Sequence, residues 1–149
     1  MEKQLEWMRM CILTAGLLAL SIEDVKKREL HSLPILLTAV GGLVLALLAG
    51  TWRQGSFWAG FLPGAVVLGL AWMTKEGIGY GDGLVIISMG CFYPAYALAA
   101  VVFTAFTAAG VAALVLLLFL RKNKKTQLPF VPFLLGAHGL WWYWMYAGG

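Results

Sequence analysis

Asp24 and Asp82 are the only aspartates in a chain of 149 residues. Each stands where an apolar stretch meets a polar one, and the two boundaries fall at one expected membrane depth. An ionisable group at such a depth is costly and ordinarily faces a cavity or a partner. Two carboxylates brought close cannot both ionise cheaply. One pKa rises, and the pair holds a single proton between them. One member can then activate water as a base, and the other can protonate a leaving group as an acid. Shared depth permits this meeting and does not compel it.

The two settings differ. Asp24 lies beside Lys26, Lys27 and Arg28, and taken alone it reads more simply as a solvated acid at a helix end. Asp82 lies in Gly77-Ile78-Gly79-Tyr80-Gly81-Asp82-Gly83, with glycine at every second position. Such a run lets backbone approach backbone or substrate closely. It is too polar and too flexible for lipid-exposed backbone, so it lines a cavity or lies at the surface. A plain glycine loop is the alternative.

The elements that would carry these residues are apolar helices. Apolar residues make up 61% of the chain and charged residues only 12%, about half the charge of a soluble domain. The mean hydropathy is +0.82. Apolar runs fall at 5–22, 33–50, 57–73, 84–95, 97–120 and 129–147. Most reach the roughly 17–25 residues that cross a hydrocarbon core. The stretch 84–120 is too long for one crossing, and Phe92-Tyr93-Pro94-Ala95-Tyr96 divides it into a short span and a long one. The expected fold is an all-α, polytopic membrane bundle of about six transmembrane helices, one domain over residues 1–149. The first run meets Glu23 and Asp24 instead of a small-residue cleavage site, so it reads as a retained span.

Charge sets the orientation. The loops 23–32, 74–83 and 121–128 hold Lys26, Lys27, Arg28, Lys75, Arg121, Lys122, Lys124 and Lys125. The other side holds Lys3, Arg9 and Arg53. Positive-inside bias makes the first side cytoplasmic and leaves both termini outside. Trp7, Trp52, Trp58, Phe92, Tyr93, Tyr96, Trp141, Trp142, Tyr143, Trp144 and Tyr146 fall near the expected outer boundary, where indole and phenol rings prefer to sit. The net charge of +4 therefore serves topology, and no solvated basic face suits a nucleic acid.

Other residues are expected to be structural. Gly60 and Gly64 form a small-xxx-small pair for close helix packing, and 97–113 is rich in Ala, Gly and Thr. Cys11 and Cys91 read as two buried thiols without metal-ligand spacing. His138 falls near mid-membrane, well away from the aspartates, and is expected to bond a neighbouring helix; His31 reads as an interfacial loop residue. Ser21, Ser32, Ser56 and Ser88 have no lysine or histidine at a shared depth, so a serine dyad has no support. No His, Cys or carboxylate cluster suggests a metal, and no cofactor is expected. Glu23 and Glu76 flank the aspartates and could steer a basic substrate segment or serve as plain solvated acids.

Three segments resemble one family. Gly79-Tyr80-Gly81-Asp82 has the Gly-x-Gly-Asp pattern of membrane aspartyl proteases. Asp24-Val25-Lys26-Lys27-Arg28-Glu29-Leu30 resembles the first-aspartate segment of type IV prepilin leader peptidases. Leu128-Pro129-Phe130-Val131-Pro132-Phe133-Leu134 is similar to the Pro-Phe-x-Pro-Phe stretch that opens the family's last span. The segments occur in the family's order and on one expected side. The resemblance implies that Asp24 and Asp82 are the catalytic pair. It implies a multi-pass protein of a prokaryotic plasma membrane that removes the basic leader from prepilin-like precursors beside a glycine, at the cytoplasmic face. It implies that Gly79, Tyr80, Gly81, Pro129, Phe130 and Pro132 position loop or substrate; the leader is then the basic segment that Glu23 and Glu76 could bind. Two departures stand out: His31-Ser32 replaces a frequent Pro-Asn, and Leu84 a frequent lysine. Longer members carry a cytosolic methyltransferase region with cysteine pairs. Here peptidase activity without N-methylation is expected.

Two other readings stay open. A non-enzymatic membrane carrier or assembly factor could bind a proton or cation at the aspartates, though it leaves the Pro-Phe-Val-Pro-Phe segment unexplained. A presenilin-like protease shares the Gly-x-Gly-Asp pattern, but its first aspartate usually follows a tyrosine, and Asp24 follows Glu23.

Overall fold

The computed structural model describes residues 2–27, 32–74, 80–119 and 130–148, and all regular structure among them is helical. Helix α1 spans Glu2–Lys27 and α2 spans Ser32–Ala49. Gly50 ends α2 in the left-handed region at φ 72°, which costs glycine nothing. A 3₁₀ turn over Thr51–Arg53 leads into α3, Gly55–Ala59, and α4, Leu62–Met73. Then come α5, Tyr80–Met89; α6, Ala95–Phe119; and α7, Val131–Ala147. Proline opens both α4 and α7 within their first two positions, where its missing N–H has no helical partner to lose.

The structure departs from the expected boundaries in three places. The helix begun by the first apolar run continues to Lys27, so Glu23 and Asp24 ride on α1 and not in a loop. The run 57–73 is broken at Gly60 and Phe61 into α3 and α4. There the chain is pressed against the turn after α5, and a Cβ at Gly60 would lie 2.7 Å from the Gly90 carbonyl oxygen. The run 84–95 becomes a helix over Tyr80–Met89 followed by turns through Tyr93. Tyr80, Gly81, Asp82 and Gly83 therefore form the first turn of α5 and not an open glycine loop.

The helices close into a ring. Packing runs from α4 to α5, α2, α1, α7 and α6, and α6 returns to α4 more loosely. Leu13, Leu17 and Leu20 of α1 recur at helical spacing and are fully buried. They form one core with Val85, Ile86 and Met89 of α5, Leu98, Val101 and Ala105 of α6, and Val131 and Leu134 of α7. The outside is apolar as well: Leu36, Leu37, Val66, Phe103 and Leu118 are all exposed. A soluble protein does not expose apolar surface on that scale. Lys3–Lys26, Gly55–Met73 and Ala95–Phe119 are each long and apolar enough to cross a membrane, and Leu33–Ala49 and Tyr80–Met89 are shorter apolar helices. The chain is a membrane protein with its apolar side chains turned both inward and outward.

Glycine makes the α4–α5 seam. A Cβ at Gly64 would lie 2.7 Å from the Ile87 backbone nitrogen, and one at Gly83 would lie 2.6 Å from Leu68 Cδ2. Gly60 and Gly64 thus serve the close approach expected of them. Their counterparts on the facing segment, Gly83 and Gly90, do the same from the other side.

Two expectations about side chains are corrected. Cys11 is exposed on α1, while Cys91 is buried as expected. Phe92 and Tyr93 are core residues, 2% and 4% exposed, and not interfacial rings, because the turn after α5 folds inward.

Candidate active site

Asp24 is buried near the C-terminal end of α1. A buried carboxylate needs hydrogen-bond donors. It finds one at the start of α7, where the Val131 backbone N–H donates to Oδ2 at 3.0 Å. The first amides of a helix have no intrahelical acceptor and favour a negative partner. Phe130 caps this helix end and is itself buried, with its ring tilted against Phe106 of α6 at 4.6 Å between centroids. Pro132 sits half-buried in the first turn. The Phe130-Val131-Pro132 segment therefore holds an amide against Asp24.

Asp82 lies in the first turn of α5, just before the apolar stretch that begins at Leu84. Its carboxyl is half-buried. Burial, and then the nearby charge of Asp24, push its pKa from 3.8 up to about 7. The N-terminal end of α5 acts in the opposite sense, since it favours a carboxylate by about 0.3–1 kcal/mol. A rise of that size shows that desolvation and the second acid outweigh the helix end. The α5 backbone at this point is held by packing: Gly83 is buried, and Leu68 of α4 lies over it.

The structure brings the two aspartates within electrostatic reach of one another, from α1 and α5. Of the other residues singled out, Tyr80 is 40% exposed, Gly81 is half-buried beside Asp82, and Glu23 is half-buried one residue before Asp24. Gly79, Glu76 and Pro129 lie outside the described residues, as does His31. Among the described residues no three His, Cys, Asp or Glu side chains come together as metal ligands would.

His138 joins a separate site deep in the bundle. It is fully buried between Thr14 of α1 and Tyr93 of the turn after α5. The Thr14 hydroxyl donates to the Met10 carbonyl at 2.7 Å, so it accepts from His138 Nε2 at 3.0 Å. Nδ1 then accepts from the Tyr93 hydroxyl. The expected structural bond from His138 to a neighbouring helix is present, and it reaches two elements.

Sequence reasoning missed three contributors: the Val131 amide, the Phe106 ring and Arg9. Arg9 Nη2 donates to the carbonyls of Cys91 and Phe92 at 3.2 Å each, tying α1 to the turn after α5. A single cation inside an apolar run was the one available signal for it. The other two act through backbone and packing, which leave no mark on residue type.

A family model described as the type IV leader peptidase family matches residues 11–115, a stretch that contains both aspartates and ends within α6. No curated protein and no solved structure matches the chain.

Proposed function

Since the chain belongs to the type IV leader peptidase family, we propose that it is a membrane aspartyl endopeptidase that removes the basic leader of prepilin-like precursors at the cytoplasmic face. Six spans with both termini outside fit this reading, because Asp24 and Asp82 then share the inner boundary with the basic loops.

The observation that carries it is the unequal pair. Burial, and then the nearby charge of Asp24, raise the Asp82 pKa to about 7, while a backbone amide donates to Asp24. In this mechanism a water lies between the carboxyls. Asp24 takes a proton from the water, and the oxygen attacks the scissile carbonyl carbon. Asp82 donates its proton to the carbonyl oxygen, giving a neutral tetrahedral gem-diol. Asp24 then passes its proton to the leaving amide nitrogen, the C–N bond breaks, and a hydroxyl proton returns to Asp82. Each carboxyl ends as it began. Gly81 supports close approach of the substrate backbone beside Asp82, and Tyr80 and Glu23 stand at the rim where a basic leader would arrive. Gly79 and Pro129 are proposed to position loop or substrate, and Glu76 to bind the leader. Phe130 and Pro132 act on Asp24 through the α7 start and need not touch substrate.

The test is direct. The purified protein in liposomes is incubated with a prepilin-like precursor, and the new N-terminus of the product is mapped. Cleavage at the leader junction that disappears in Asp24→Asn and Asp82→Asn is the expected result. An intact precursor, or cleavage that survives both substitutions, would sink the reading.

A further inference from the structure

We propose that the groove between α4 and α6 seats the apolar helix of the precursor, an inference that rests on the leader-peptidase reading. The helix ring closes loosely at this seam. The cavity there has a volume of about 560 Å³, opens to the lipid side, and is walled by Leu62, Val66, Ala95, Ala99, Phe103 and Phe106, among other apolar residues. On α6 the lining positions 95, 99, 102, 103 and 106 recur every three or four residues and so form one stripe; 62, 63, 66 and 67 do the same on α4. Two such ridges bound a trough of the shape that receives a third helix. Ala95 and Ala99 lower one wall, as small residues do where helix backbones approach in lipid.

One end of the trough is linked to the candidate active site through neighbours on both walls. Val67 lines the α4 wall, and the next residue, Leu68, packs over Gly83 beside Asp82. Phe106 lines the α6 wall and packs its ring against Phe130, whose neighbour Val131 donates to Asp24. Each wall is thus linked to one aspartate through one packing contact and the chain neighbours beside it. The groove runs from that point toward Leu62 and Ala95, which is outward in the proposed topology. A precursor cut at the junction of basic leader and apolar helix, with its scissile bond at the aspartates, must send its helix outward along that line. A lipid chain would need no such connection to the acids.

The test uses the protein in liposomes with two substrates: a full precursor, and a soluble peptide that spans the junction but lacks the apolar helix. Ala99→Trp fills the trough from an exposed position that makes no contact with the aspartates. It is expected to raise KM for the precursor about tenfold and to leave peptide cleavage within about twofold. A benzophenone amino acid in place of Phe103 is expected to cross-link to the precursor's apolar segment. An equal effect of Ala99→Trp on both substrates, no effect on either, or labelling of lipid alone would overturn the proposal. A wild-type protein that cuts neither substrate removes the peptidase reading, and the groove's occupant with it.

Discussion

The Val131 backbone N–H, 107 residues further along the chain, donates to Asp24 Oδ2 across the α1–α7 interface. A side-chain amide can still accept this bond, and an alanine cannot. Asp24→Asn is therefore expected to fold normally while cleavage falls by about 10³-fold or more. Asp24→Ala is expected to lose cleavage and also about 1–3 kcal/mol of stability, because it strands a buried donor. Rate measurements on a precursor, with thermal unfolding in detergent, separate the two. Equal stability of the variants would remove the bond's assigned role.

Asp82 gives the pH dependence a sign. Its pKa in the folded protein, about 7, is above the ordinary 3.8, so the fold prefers the protonated acid. That preference contributes in full below about 4 and is lost as pH rises to about 7. Unfolding temperature is expected to fall across this window, and Asp82→Asn is expected to flatten the fall. Cleavage is expected to decline on the alkaline side near pH 7, as the acid member loses its proton. A rate that rises steadily through pH 8 contradicts this assignment.

The α4–α5 seam makes a separate prediction. Exchanging a helical glycine for alanine ordinarily gains about 1 kcal/mol. At Gly64 the added methyl meets the Ile87 backbone at 2.7 Å, and at Gly60 it meets two carbonyl oxygens at 2.7 Å. Backbone cannot step aside as a side-chain tip can. Gly64→Ala is expected to destabilise by about 1–3 kcal/mol, as overpacking does. Gly69→Ala, which meets nothing within 4 Å, is expected to be neutral or stabilising. Denaturation of both variants checks the contrast.

The His138 network predicts non-additivity. Replacing His138 by leucine leaves the buried Tyr93 hydroxyl without its acceptor, at a cost of about 1–3 kcal/mol. Adding Tyr93→Phe removes the stranded group, so the double variant is expected to recover part of the loss. Neither change is expected to alter the pH dependence of cleavage, since the network lies apart from the aspartates. A thermal cycle on the four proteins measures the coupling.

Much of the architecture was legible in residue type. Apolar runs mark the helices, since a bilayer demands long uncharged stretches. Gly60 and Gly64 signal the close approach that the structure shows. The break at Gly60–Phe61 was not legible, because it answers to Gly90, a partner 30 positions away. The inward fold of Phe92 and Tyr93 depends on Arg9 and His138 reaching them from two other helices. Asp24 and Asp82 could be singled out as the only aspartates, each at the boundary of an apolar run. What holds Asp24 is a main-chain amide, which every residue but proline possesses, so nothing at position 131 announces it.

The Arg9 clasp has a geometric corollary. The turn it grips follows Tyr80–Met89, a helix of 10 residues and so about 15 Å long, half the thickness of a hydrocarbon core. Fastened to α1 through that turn, a strut of that length carries Asp82 at a set distance from the clasp. The position of the acid along the bundle is thereby governed from the other end of its helix, by a guanidinium bonded to the turn that follows.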